Sequence, residues 1–159
     1  MWYKLDIMES KKEYFMKEAL KEAKKAYNKL EVPVGAIIVK EGKIIARGYN
    51  RKEEKKDPTK HAEIIAIEKA CKKLENWRLI DCDMFVTLEP CPMCAGAIMN
   101  SRIHNLYIGT MEEKSGACGS KINILENYNF ETKVNVENNI LSEDCKKILK
   151  NFFKERRKK

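Results

Sequence analysis

HAEIIAIEKACKKLENWRLIDCDMFVTLEPCPMC, residues 61–94, is the stretch from which the rest of the chain takes its meaning. It opens on His61-Ala62-Glu63 and closes on Pro90-Cys91-Pro92-Met93-Cys94. One imidazole and two thiols are three metal ligands, and the carboxylate is a proton carrier. A hydrolytic zinc site needs that set, with one coordination position left for water. The same stretch sets the architecture. An apolar-periodic helix is expected from Ala62 to Leu74, a strand from Asp83 to Leu88 and a helix from Pro92 to Asn100.

The geometry required of these helices is specific. Cys91 and Cys94, spaced i and i+3, share one face of a helix start. Pro92 suits the first turn, where its missing N–H costs nothing, and a helix N-terminus favours thiolate. Within a regular helix His61 and Glu63 would point roughly 200° apart. They can share a site only if His61 occupies the cap, before regular turns begin. The Asp57-Pro58-Thr59 segment ahead of it allows that.

Outward from this core, Ser10-Lys11-Lys12-Glu13 has the form of a capping box. A first amphipathic helix is expected to follow it and to end near Pro33. Val34 to Val39 reads as a strand covered on both faces. Glu41-Gly42 is a turn into an antiparallel partner, Lys43 to Tyr49. Arg51 to Lys60 carries charges of both signs and reads as a solvated surface loop. Further along, a strand is expected at Asn105–Ile108, a small and flexible stretch at Ser115–Ser120, a short helix at Ile122–Glu126 and a weak strand at Lys133–Val136. The last helix begins near Ser142, acidic in its first turn and basic in its last, as the helix dipole favours. Strands alternating with helices indicate a layered α/β domain.

The 159 residues are most simply one domain, and 43% hydrophobic composition is normal for a globular protein. No apolar run approaches the roughly 20 residues of a membrane span. The N-terminal residues lack the layout of a signal peptide, so a cytoplasmic location is expected, where the six cysteines stay reduced. Cys71, Cys82, Cys118 and Cys145 are then packing groups rather than ligands. His104 is expected at a strand edge, outside the site. Lys plus Arg is 32 against 24 for Asp plus Glu, a net charge of +8. A polyanionic partner fits that excess, and so does a lysine-rich proteome.

The signature H-x-E…P-C-x-x-C is that of the zinc nucleobase deaminases. The chain resembles their bacterial tRNA adenosine deaminase branch through Val32-Pro33-Val34-Gly35-Ala36, Gly48-Tyr49-Asn50, Asp57-Pro58-Thr59, Arg78-Leu79-Ile80-Asp81, Thr87-Leu88-Glu89-Pro90, Cys94-Ala95-Gly96-Ala97 and Ser101-Arg102-Ile103. The resemblance runs from about Tyr14 to Arg157. It implies a cytidine-deaminase-like three-layer α/β/α fold with a mixed five-stranded sheet, residues 1–159 forming one zinc-dependent deaminase domain. It further implies a homodimer, one Zn2+ per subunit on His61, Cys91 and Cys94, and Glu63 as the catalytic proton shuttle to zinc-bound hydroxide. The implied reaction is hydrolytic deamination of adenosine to inosine at the wobble position of a tRNA anticodon, typically of an arginine tRNA.

For substrate contacts, Asn50 matches the family position that hydrogen-bonds the target base, against a simpler reading as a turn cap. Leu88 and Ala62 are candidates to line the pocket. The C-terminal helix, residues 142–157, is the element the family lays against the anticodon stem-loop. On it Phe152 and Arg156 fall on one face and could stack on bases and hold phosphates, while Phe153 is expected in the core. Glu112 stands where many members carry Asp, and it is assigned no contact. Two other readings share parts of the pattern. A deaminase of a free base or nucleoside, such as guanine or cytosine, would use the same zinc site. A non-catalytic, zinc-stabilised RNA-binding module would have no use for Glu63.

Overall fold

The computed structural model describes residues 2–127 and 133–158, with side chains for 9–126 and 133–158. In chain order the elements are α1 (Trp2–Asn28), β1 (Gly35–Lys40), β2 (Lys43–Tyr49), α2 (Lys52–Lys55), α3 (Ala62–Leu74), β3 (Cys82–Leu88), α4 (Pro92–Asn100), β4 (Asn105–Thr110), α5 (Ile124–Asn127), β5 (Asn135–Glu137) and α6 (Ser142–Arg157). The strands form one five-stranded sheet in the order β2-β1-β3-β4-β5. β1 is antiparallel to β2 and β3, whereas β3, β4 and β5 run parallel. This is the mixed sheet implied by the resemblance.

The sheet is covered on both faces, which explains the unbroken apolar run of β1. Ile37, Val39 and Phe85 face one way and pack with Met16 and Ala19 of α1 and Cys145 of α6. Ala36, Ile38, Met84, Val86, Leu106 and Ile108 face the other way. They join Ala62, Ala66 and Ala70 of α3, Ala95, Ile98 and Met99 of α4, and Leu125 of α5 in the larger core. Alternation within the strands therefore assigns side chains to two cores rather than to core and solvent.

Two differences from the sequence pattern have local causes. α1 begins at Trp2, not after Ser10. Residues 2–9 contain neither Pro nor Gly, so nothing stops the helix at the capping box. The loop 51–60 contains a one-turn helix, α2, whose starting amides Glu53 N–H and Glu54 N–H donate to the carboxylate of Glu31 at 3.0 and 2.8 Å. That carboxylate lies just past α1 and is 1% exposed. The Glu41-Gly42 turn forms as expected, with φ of +50° and +75° at its two central residues. The expected end of the short helix and start of the weak strand shift by one or two residues, to α5 and β5.

Strand directions place the carboxyl ends of β2, β3 and β4 along one edge of the sheet: Tyr49 pairs with Gly35, and Leu88 with Thr110. Ligands of α/β sheets gather at that edge. α3 descends directly from it and lies so close on β2 that a Cβ at Gly48 would meet Ala62 O and Ala66 N. Gly48 thus fixes where α3 begins. Gly48→Ala is expected to cost roughly 1–3 kcal/mol by forcing the helix outward, and urea denaturation would read it as a lowered midpoint with an unchanged slope.

Candidate metal centre and its pocket

His61 is the N-cap residue of α3, with extended backbone (φ −76°, ψ 157°), and Cys91 is the N-cap of α4 (φ −74°, ψ 174°) with Pro92 at the first helical position. Because His61 has not entered the helix, its ring turns toward α4 instead of following the helical rotation. His61 Nδ1 lies 3.5 Å from Cys94 Sγ and 3.7 Å from Cys91 Sγ. All three donor atoms lie within 4.8 Å of one another. In tetrahedral coordination with Zn–N and Zn–S bonds of ordinary length, N and S ligands stand about 3.6 Å apart. The spacing and the soft His/Cys/Cys donor set therefore fit zinc, with a fourth position left open. Among the described residues this is the one group of three His, Cys, Asp or Glu placed to hold a metal.

The electrostatics are those of crowded donors. The Cys91 thiol is held down at about 4 by hydrogen bonding with Cys94 and then with His61. The Cys94 thiol is driven up by the neighbouring Cys91 and by burial. His61 is raised, chiefly through its hydrogen bond with Cys91. The pair thus gives up one proton easily and the second only with difficulty. Glu63, in the first turn of α3, is 3% exposed. Burial pushes its carboxyl above the usual range, outweighing the opposing charge of His61. Glu63, His61 and Cys91 line a cavity of about 180 Å³ together with Val32, Val34, Asn50, Ala62, Leu88, Glu89 and Ser115, and Cys94 is fully buried beside them. That is below the roughly 300–1,000 Å³ of pockets that enclose a whole drug-sized ligand. It has room for one heterocyclic base, with the rest of a substrate left outside.

A model of the MafB19-like deaminases matches residues 9–157. The tRNA-specific adenosine deaminase of Bacillus subtilis (strain 168) is 46% identical, over 92% of this chain and 91% of its own length. The chain belongs to this deaminase family. A solved tRNA:A34 deaminase that edits A to I at the wobble position of transfer RNA superposes with a TM-score of 0.83 at 41% identity, covering 86% of this chain and 99% of that one. A guanine deaminase from Bacillus subtilis is 44% identical with a TM-score of 0.61, covering 62% of this chain and 64% of its own.

Of the other residues singled out in this deaminase, Ala62, Leu88 and Asn50 all reach the cavity. Asn50 is already engaged on both sides: Nδ2 donates to Val32 O and Oδ1 accepts from Lys52 N–H, each at 3.2 Å. It closes a tight turn onto the first residue of α2 and lines the pocket at once, and the amide keeps a second N–H. Phe152 and Phe153 are exchanged relative to expectation. Phe152 is 5% exposed and packs edge-on against Tyr27 of α1, while Phe153 is 44% exposed. Phe152 is therefore a core residue, in the stripe Cys145, Ile148, Leu149, Phe152. Arg156 sits over the Phe152 ring, 5.6 Å from its centroid, in a separate hollow with Tyr27 and Leu30. Both belong to the α1–α6 contact, not to the pocket. The outward stripe of α6 is instead Lys146, Lys150, Phe153 and Arg157. It lines a groove with Lys114 that meets the cavity at Leu88.

Glu89 and Glu31 were unmarked by any spacing, and both are buried close to the site. The four spare cysteines behave as packing groups. Burial raises Cys71, Cys82 and Cys118, and pushes Cys145 up to about 12. His104 is exposed at the entry to β4, the edge of the sheet opposite the cluster.

Metal uptake should carry the proton signature of this cluster. With Cys91 already ionised at neutral pH, Cys94 must still lose a proton to bind. Zinc affinity, measured by competition with a chromophoric chelator, is expected to rise about tenfold per pH unit between pH 7 and 9. It should vanish in Cys91→Ser with Cys94→Ser. Affinity independent of pH would contradict the donor set.

Proposed function

We propose that this chain hydrolytically deaminates adenosine to inosine at the wobble position of a tRNA anticodon, with residues 1–159 acting as one deaminase domain. The observation that carries the reading is the pairing of a His/Cys/Cys cluster with a buried carboxylate beside a base-sized cavity that His61, Cys91 and Glu63 line. Zinc is the cofactor, one per subunit on His61, Cys91 and Cys94, and when bound it lowers the pKa of water toward neutral. Glu63 then does the proton work. It accepts one proton from the attacking water and passes it to the adenine ring nitrogen as the C6–O bond forms. It then carries the remaining proton, from the hydroxyl now on C6, to the amine, so that C6=O forms as the C6–N bond breaks and ammonia leaves. A carboxyl held high by burial suits both directions of transfer near neutral pH. Asn50 offers its free N–H to the purine edge, and Ala62 and Leu88 pack on the base.

The rest of the anticodon stem-loop lies outside the cavity, along the groove of α6. Phe153 offers an exposed ring for stacking, and Lys146, Lys150 and Arg157 offer charge for phosphates. The substrate is an arginine tRNA, the protein acts as a cytoplasmic homodimer, and no helix among the described residues is long and apolar enough to cross a membrane. The likeness to the guanine deaminase supports a second reading, in which a free purine is the substrate. The basic aromatic groove has no task in that case.

Incubation with total tRNA and sequencing for A-to-I changes tests reaction, substrate and position together. Parallel assays on free guanine and cytosine test the second reading. Glu63→Ala is expected to keep stoichiometric zinc and lose at least a thousandfold in turnover; near wild-type turnover would disprove the mechanism. Phe153→Ala and Arg157→Ala are expected to raise KM for an anticodon stem-loop several-fold at unchanged zinc content. Arg157→Ala should also lower the salt dependence of binding by about one unit of log–log slope. Phe152→Ala is expected to lower stability instead, as loss of a buried ring.

A further inference from the structure

Glu89 directly precedes the Pro90-Cys91 ligand turn, is 3% exposed, and borders the same cavity as His61, Glu63 and Cys91. Its carboxylate gathers the loop that follows β4. Oε1 accepts from Glu112 N–H at 2.9 Å, and Oε2 accepts from Cys118 N–H at 2.9 Å and Ser120 N–H at 3.1 Å. The Ser120 hydroxyl stands between Glu89 Oε1 and the Glu112 carbonyl, able to donate to either. Ala117 N–H donates to Pro90 O at 2.9 Å, so the ligand turn itself is part of the same contact. Gly116 lies against the carboxylate so closely that a Cβ there would collide with it. A stretch of small residues is thereby tied at four points to one side chain. This loop supplies Ser115 to the cavity and Glu112, Glu113 and Lys114 to the groove.

We infer that Glu89 is a positioning residue for the nucleic-acid substrate: it registers the 112–120 loop on the metal-ligand turn, so that the pocket wall and the groove rim stand at a fixed distance from the reacting atoms. The inference rests on the proposed RNA substrate. A buried carboxylate is costly unless its oxygens are satisfied. Here nearly every donor comes from one loop, so carboxylate and loop order each other. A glutamine at this place would turn an NH2 group toward a backbone N–H and break at least one of the bonds.

Kinetics on an anticodon stem-loop separate positioning from mere folding. Glu89→Gln is expected to raise KM about tenfold with kcat, per zinc-loaded subunit, within threefold of wild type. Ser120→Ala, which leaves the ligand turn intact, is expected to raise KM three- to fivefold. The double variant should be no worse than Glu89→Gln, because both act through one contact. Trypsin should cut after Lys114 faster in each variant. A loss of active fraction at unchanged KM would make Glu89 purely structural and overturn the inference. If Glu89→Gln fails to fold or to hold zinc, Ser120→Ala decides alone, and a wild-type KM there overturns it. A wild-type protein idle on RNA would overturn the proposed function instead, leaving cleavage after Lys114 to report whether the clamp exists.

Discussion

Three donor atoms and one carboxylate must meet at a point, and a polypeptide offers few backbones on which i and i+2 side chains can do so. The cap position supplies one. His61 is still extended when Ala62 has turned helical, so His61 and Glu63 escape the roughly 200° separation a helix would impose. The rest of the molecule serves that constraint. α3 must start at the carboxyl edge of the sheet and α4 must start beside it, and both follow from strand directions, since β2 and β3 run the same way on either side of β1. The small side chains Ala62, Ala66 and Ala70 let α3 sit against the sheet, and Gly48 takes the closest approach.

Buried carboxylates recur around this edge, and each answers its desolvation differently. Glu31 accepts backbone amides of α2, and Glu89 accepts those of the loop after β4. Glu18 is lowered overall because Lys21 and Arg47 outweigh its burial. Glu63 is left raised, with burial dominant. The first three are satisfied by fixed donors and therefore hold structure. The last is the one whose proton is available for exchange, which is the property the proposed chemistry uses.

What the sequence disclosed was local. The cap, the proline at the helix start and the thiol spacing lie within a few residues of one another, and α3, α4 and α6 begin where they indicate. What it concealed depended on partners distant along the chain. Glu31 reaches forward to residues 53 and 54, and Glu89 to residues 112–120; no periodicity marks either. The loop 51–60 is solvated as expected, but the one-turn helix within it was not readable because its capping carboxylate lies outside it. The exchange of Phe152 and Phe153 is a different kind of miss. Cys145, Ile148, Leu149 and Phe152 recur at helical spacing, and Lys146, Lys150 and Arg157 share the other face with Phe153. The stripe was readable, and pairing Phe152 with Arg156 obscured it, since an arginine over an aromatic ring also occurs where the ring is buried and only the charge is wet.

The division between cavity and groove bears on how one metal site could serve different substrates. The cavity has the size of a base and the chemistry of deamination, and nothing in its depth distinguishes a free base from one carried by a polymer. Discrimination against small substrates then has to come from outside, where a polymer gains contacts that a free base cannot. On this chain the outside surface is the α6 stripe and the loop rim, meeting the cavity at Leu88. A change in the position of either would alter the choice of substrate while leaving His61, Cys91, Cys94 and Glu63 untouched. A deaminase of guanine and one of tRNA adenosine can therefore share this fold, and the residues to compare between them are those of the rim.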